Sequence, residues 1–299
     1  MEILKYGKAI CYSGYRKGQS PKTVAPTKEQ IAEDLDILHK AGYDYIRMYD
    51  PNLHARRALE VIKEKDLPIK CMIGIDSDPE SNNPNCGTEK QEYSAEQLEK
   101  NRIRNDGEVD RLIELVREFP DQVIAVSVGN ENTPVWGAHM VSEDRLVEHA
   151  RKLKANLDKP VTFCEGYLEW LTLDKLIREV DFISIHSYPY HNPVAPADAL
   201  EFNKQHYYDM VRRHPDMQVI FTELGWSTSR VPLTIMQDGT ARESVEVASR
   251  YVREVADWFE EEKIIGFVFE AFDELWKGDV PEASECNFGL YNEERQPKW

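Results

Sequence analysis

Two apolar stretches of this chain end in glutamate: Val123-Ile-Ala-Val-Ser-Val-Gly-Asn-Glu131 and Val219-Ile-Phe-Thr-Glu223. If each stretch is a strand, each carboxyl group stands on a rigid support. Two acids held this way can share one reaction, one donating a proton while the other attacks or activates water. Glycosidic cleavage needs that division. Carboxyl groups roughly 5–5.5 Å apart give retention, and roughly 6.5–9.5 Å apart give inversion. Like-charge repulsion raises one pKa while the other group stays ionised. On this reading Glu131 is the proton donor and later the general base, and Glu223 is the nucleophile. The competing reading makes both ordinary surface acids or helix N-terminal residues.

Neighbouring residues suit the same chemistry. Asn130 is an uncharged donor beside Glu131, fit to hold a sugar hydroxyl or the nucleophile, or else a simple turn residue. Trp226 follows Glu223 closely and either stacks on a pyranose ring or packs in the core. Trp136 is equally open and borders the expected acid/base loop.

The elements that must position these groups read as alternating strands and helices. Eight apolar runs are expected strands: Tyr6–Tyr12, Tyr45–Tyr49, Ile69–Ile75, Val123–Gly129, Val161–Cys164, Phe182–His186, Val219–Glu223 and Ile264–Phe269. Continuous apolar runs without strict alternation suit a parallel sheet covered on both faces. Helical stripes lie between them at Ile31, Leu35 and Leu38 (with Gly42 as a stop), at Val109, Leu112, Ile113 and Val116 (ending before Pro120), and at Val245, Ala248, Val252 and Val255. Arg145–Leu157 and Leu200–His214 complete the alternation more weakly.

This pattern predicts an α/β fold, a TIM (β/α)8 barrel, spanning residues 1–299 as one catalytic domain. The tail after Phe269 is short and rich in Pro, Asn and Glu, so the last helix is expected to be short or displaced. Ser77–Gly87 reads as a loop above the third strand. Gly14 and Gly18 have the wrong spacing for GxGxxG, and no GxxxxGK[ST] is present, so nucleotide folds have little local support.

Composition narrows the partner. With 37 basic and 54 acidic residues the net charge is −17, which repels phosphate backbones and anionic lipid. A neutral glycan fits; nucleic acid and membrane do not. Five cysteines without close pairing give neither a disulfide framework nor a CxxC site, and Cys11, Cys71 and Cys164 read as buried small hydrophobes. Met1–Tyr12 lacks the apolar stretch of a signal peptide, which points to the cytoplasm, with secretion or the periplasm following if a leader has been removed. No segment reaches the roughly 18 apolar residues of a membrane span. A monomer is expected.

The segments Val126-Ser-Val-Gly-Asn-Glu131 and Phe221-Thr-Glu-Leu-Gly-Trp-Ser-Thr228 resemble the acid/base and nucleophile signatures of glycoside hydrolase family 17, the β-1,3-glucanase family of retaining barrel glycosidases. Ile46-Arg-Met-Tyr-Asp50, Asp181-Phe-Ile-Ser-Ile-His-Ser-Tyr-Pro-Tyr190, Phe272-Asp-Glu-Leu-Trp-Lys277 and Asn287-Phe-Gly-Leu-Tyr291 extend the likeness in family order. The resemblance implies that Glu274 and Lys277 support the catalytic carboxylates and bind sugar; otherwise they form a surface ion pair. It also implies that Tyr49 and Tyr188 line the glycone side, where a tyrosine hydroxyl holds Glu223 or a sugar. His186 stands where many relatives carry another polar residue, and either bonds Glu223 or satisfies a local partner. The run Cys11-Tyr-Ser-Gly-Tyr-Arg-Lys-Gly18 is closer to bacterial members than to plant ones.

The implied activity is retaining hydrolysis of a β-1,3-glucan such as laminarin, or glucanosyl transfer from the same covalent intermediate, with no metal or organic cofactor required. Two other classes compete: a metal-dependent hydrolase using His186, His191 and nearby acids, which form no defined ligand motif, and a non-catalytic glucan-binding barrel.

Overall fold

The computed structural model describes residues 3–86, 92–237, 239 and 241–299. Each apolar run forms a strand: β1 (Ala9–Cys11), β2 (Tyr45–Met48), β3 (Lys70–Ile73), β4 (Val123–Asn130), β5 (Val161–Gly166), β6 (Ile183–His186), β7 (Val219–Leu224) and β8 (Gly266–Val268). Neighbouring strands pair in parallel, and β1 closes onto β8 with Ala9 opposite Phe267 and Ile10 opposite Val268. The strands make a closed eight-stranded barrel surrounded by helices, the expected (β/α)8 architecture.

The helices are α1 (Lys28–Lys40), α2 (Leu53–Glu64), α3 (Ala95–Glu118), α4 (Glu143–Asn156), α5 (Tyr167–Trp170), α6 (Ala199–Arg213) and α7 (Val245–Glu262). Side-chain caps start most of them. Thr27 and Gln30 form a reciprocal capping box at α1, and Asn52, Ser94, Ser142 and Ser244 each accept a backbone N–H at α2, α3, α4 and α7. Gly42 follows α1 at φ +81°, in the left-handed region that a helix-stopping glycine adopts.

Ile31, Leu35 and Leu38 are fully buried, as are Val109 and Leu112. The α7 stripe is rotated from the expected one. Val245 is exposed at the helix start, and the buried face is Val247, Ala248, Tyr251, Val255, Trp258 and Phe259. Trp258 and Phe259 bring their rings within 5.8 and 5.5 Å of Phe221 on β7. Truncating such a packed Phe costs about 3–5 kcal/mol, so the strand bearing Glu223 is firmly anchored.

Among the described residues no α-helix follows β8; only the short 3-10 turns Leu275–Lys277 and Ser284–Cys286 do, as the Pro- and Asn-rich tail suggested. Residues 77–86 form a loop without helix or strand, and Gly87, the end of the expected loop, lies outside the described residues. No helix among the described residues is long and apolar enough to cross a membrane.

The pairing register is irregular where it matters for chemistry. Shifts fall between Ser127 and Asn130 in the β4–β5 pair, between Ile185 and His186 in β6–β7, and between Phe221 and Leu224 in β7–β8. Such bulges re-aim the side chains beside them.

Candidate active site

Glu223 lies at the end of β7 with 6% exposure. Both its oxygens are engaged. Arg47 of β2, itself 1% exposed, donates from Nη1 to Oε1 at 2.5 Å, and the Tyr188 hydroxyl donates to Oε2 at 2.8 Å. Burial alone would raise this carboxyl, but the facing charges of His186 and Arg47, with the Arg47 and Tyr188 hydrogen bonds, outweigh burial and hold it down at about 2. Glu223 is therefore an ionised, oriented carboxylate.

Arg47 also fixes Asn130, because its Nη2 donates to Asn130 Oδ1. A guanidinium only donates, so the amide oxygen must face it and the Asn130 NH2 is turned away, free to donate elsewhere. The guanidinium lies 4.4 Å over the Tyr49 ring. Arg47 thus ties together three of the expected site residues.

Glu131 follows β4 directly and has φ +48°, a left-handed conformation rarely adopted by residues other than glycine. Its surroundings hold it there. The Glu131 N–H donates to Cys164 O at 3.0 Å. Asn132, fully buried, accepts the Asn130 N–H at 3.0 Å and donates to His139 O at 2.9 Å. Gly129 permits this tight turn, since a Cβ there would collide with Asn132 Oδ1. Further out, Asn83 donates to Val135 O and Gly137 O, so the loop above β3 braces the one carrying Glu131.

The two acids converge. A carboxylate oxygen of Glu131, one of Glu223 and a ring nitrogen of His186 all lie within 4.8 Å of one another. His186 Nδ1 bonds Glu131 Oε1 at 2.7 Å and stands 3.7 Å from Glu223 Oε2. Its hydrogen bond goes to Glu131 and not to Glu223, the partner named from the sequence, which stands next to it. Burial disfavours the imidazolium, yet Glu223, Cys164 and Glu131 together raise His186 to about 10. The trio has the donor types of a metal site. One of its carboxylates, however, is already bonded by the Arg47 guanidinium, a fixed positive charge that would repel a divalent cation. His191, the other expected ligand, stands 3.9 Å from Glu285 and outside the trio.

These groups open into a cavity of about 1230 Å³ at the barrel mouth. Tyr49, Asn130, Glu131, His186, Tyr188, Glu223, Glu274 and Lys277 all line it, as does Trp136, which is 53% exposed at its edge. Glu274 and Lys277 are not a surface pair. Glu274 is fully buried, bonded by Ser13 Oγ and by Trp276 Nε1 at 2.8 Å, and Lys277 Nζ joins it to buried Glu270, 2.9 Å away. Burial and Glu274 push Glu270 well above the usual carboxylate range, with Lys277 opposing.

Trp226 corrects the sugar-stacking expectation. It is 1% exposed, its ring packs against Tyr190 and Tyr251, and its Nε1 donates to Arg242 O at 2.9 Å. It turns away from the cavity and belongs to the core.

Sequence reasoning missed Arg47, Glu165 and Glu270 as partners of the site. The signal was present in each case. Arg47 is a charge inside an apolar strand run, and Glu165 and Glu270 are strand-end glutamates like the two that were chosen. β5 was read as ending at Cys164, one residue short of Glu165.

Residues 9–289 match the model of the BtgE/BtgC glycoside hydrolase domain. Among curated proteins none matches the chain in sequence. Among solved structures, the chain resembles an endo-laminarinase from Formosa Hel1_33_131 with a TM-score of 0.78 at 24% identity, covering 95% of this chain and 83% of that one. A glycoside hydrolase family 17 β-1,3-glucanosyltransferase from Rhizomucor miehei gives 0.73 at 19% identity, covering 97% and 94%. A β-glucuronidase from Ruminococcus gnavus gives 0.72 at 16% identity, covering 98% of this chain but 48% of that one. At these identities the likeness carries the fold alone.

Proposed function

As the chain belongs to the BtgE/BtgC glycoside hydrolase family, we propose that it is a retaining β-1,3-glucan hydrolase, of the family 17 type, that cleaves laminarin or laminari-oligosaccharides by double displacement. The observation that carries this reading is the approach of one carboxylate oxygen of Glu131 to one of Glu223 within 4.8 Å, both residues lining the cavity. That spacing suits a nucleophile in direct contact with the anomeric carbon better than one acting through water. The matching motifs and the two glucan-acting structural neighbours favour β-1,3-glucan as the substrate.

In the first step a Glu223 oxygen bonds to the anomeric carbon as the glycosidic C–O bond breaks. Arg47 on Oε1 and Tyr188 on Oε2 fix the attacking carboxylate. The leaving oxygen takes a proton from Glu131. His186 Nδ1, 2.7 Å from Glu131 Oε1, orients the Glu131 carboxyl for this transfer and steadies the carboxylate that the transfer leaves. In the second step Glu131 takes a proton from water, whose oxygen displaces Glu223 and restores the β configuration. The Asn130 NH2 is placed to donate to a sugar hydroxyl beside Glu131.

A second outcome uses the same intermediate. Trp136 (53% exposed) and Leu168 (66% exposed) flank the cavity on the Glu131 side and offer apolar footing to an acceptor sugar, whose hydroxyl in place of water gives glucanosyl transfer. Incubation with laminarin and laminari-oligosaccharides over time tests both outcomes. Shorter products with initial β configuration are expected, and oligosaccharides longer than the starting material report transfer. Unchanged laminarin turnover by Glu223→Ala removes Glu223 from the mechanism.

A further inference from the structure

Glu165 is a strand-end glutamate that the chemistry above leaves without a role. It is 1% exposed at the end of β5 and is withdrawn from the cavity, although the next four residues, Gly166 to Glu169, line it. Its carboxyl grips backbone instead. Oε2 accepts both the Thr133 N–H (3.0 Å) and the Thr133 hydroxyl (2.8 Å), and Oε1 accepts the Gly166 N–H (2.7 Å).

Thr133 stands two residues past Glu131, and Glu131 is the left-handed residue of this turn. The Glu131 N–H is held by Cys164 O, on the residue just before Glu165. The end of β5 therefore fastens the turn on both sides of Glu131. A non-glycine residue keeps such a backbone only where its neighbours over-determine it; here Cys164 O and buried Asn132 hold the near side, and the Glu165 carboxyl holds the turn beyond Glu131 through Thr133. Release of Thr133 frees the turn to relax and carries the Glu131 carboxyl away from His186 and Glu223.

We propose that Glu165 is a positioning residue for Glu131, holding the turn after β4 in the geometry from which Glu131 protonates the leaving oxygen. The proposal rests on the acid/base reading of Glu131. A supporting property is charge. Burial and the facing Glu131 push Glu165 up to about 8, against the pull of the Gly166 N–H, Thr133 and His186.

The test compares two leaving groups in Glu165→Ala and Glu165→Gln. Laminari-oligosaccharides leave as alcohols that need protonation, whereas a 2,4-dinitrophenyl β-glucoside leaves without it. A displacement near 1 Å costs on the order of 100-fold in rate. Glu165→Ala is thus expected to lose about 100-fold in kcat/KM on laminari-oligosaccharides and less than about threefold in kcat/KM on the activated glycoside, because kcat/KM reports the first step, before Glu131 acts as base. Glu165→Gln, which keeps one oxygen for Thr133, is expected to recover much of the loss. Equal losses on both substrates, or no loss on either, overturn the proposal. So does a crystal structure of Glu165→Ala with Glu131 still at φ +48° and still bonded to His186. If the wild-type enzyme cleaves a different β-glycan and not laminarin, the substrate assignment fails, and the same leaving-group comparison on that glycan still decides the role of Glu165.

Discussion

Replacing Arg47 with methionine removes the guanidinium that bonds Glu223 directly. Arg47 is 1% and Glu223 6% exposed, so solvent cannot take the place of the lost partner cheaply. Removing one member of a buried ion pair costs about 3–5 kcal/mol, because the other charge stays buried without it. For 299 residues, an unfolding entropy of about 2.1 cal/mol/K per residue comes to about 0.6 kcal/mol/K, so the melting temperature should fall by about 5–8 °C. The acid dependence should change as well. A carboxyl held at about 2 in the folded protein, against about 4.3 unfolded, stabilises the fold above pH ~4.3, and that contribution is lost as pH falls from ~4.3 through 2. Without Arg47 the carboxyl rises and this acid-side loss flattens. Calorimetric melts of wild type, Arg47→Met, Glu223→Gln and the double variant at pH 7, and again between pH 5 and 3, measure both effects. The double variant, which removes both members of the pair and leaves His186 bonded to Glu131, should recover part of the loss. An Arg47→Met protein that melts within 1 °C of wild type with unchanged acid dependence refutes the pairing argument.

Two further substitutions probe neighbouring parts of the site. His186, raised to about 10 in the fold from an ordinary 6.5, contributes stability that is complete below pH ~6.5 and is lost as pH rises through 10; His186→Asn should flatten the fall in melting temperature between pH 7 and 10. Trp226→Ala should destabilise the protein by about 3–5 kcal/mol while leaving KM for laminari-oligosaccharides unchanged. A raised KM at wild-type stability would restore Trp226 as a sugar platform.

The barrel was legible because each strand is a short, nearly unbroken apolar run, a pattern imposed by burial on both faces. Glu131 and Glu223 were legible as possible partners because a strand end aims a carboxyl at the barrel mouth. The same reasoning could not rank the four strand-end glutamates. Burial and partners separate them: Glu165 clamps backbone, Glu270 is held with Glu274 by Lys277, and only Glu131 and Glu223 meet through His186. Arg47 was quoted inside a motif without a role, since its partner Glu223 lies 176 residues away and the contact exists only once the barrel closes. Trp226 was ambiguous because adjacency to a site residue along the chain does not fix which way a ring turns, and the bulge between Phe221 and Leu224 intervenes. Helix α2 went unread although its buried face, Ala55, Ala58, Leu59, Val61 and Ile62 with His54, is well separated from its charged one.

The account stands on Glu223 attacking the sugar carbon while Glu131 serves the leaving oxygen. Incubating the wild-type protein with a 2-deoxy-2-fluoro laminaribiosyl fluoride, then mapping the adduct by peptide mass spectrometry, addresses that claim directly. One fluorosugar unit per chain, attached at Glu223, is the predicted result. Attachment at Glu131 or at another residue would contradict it.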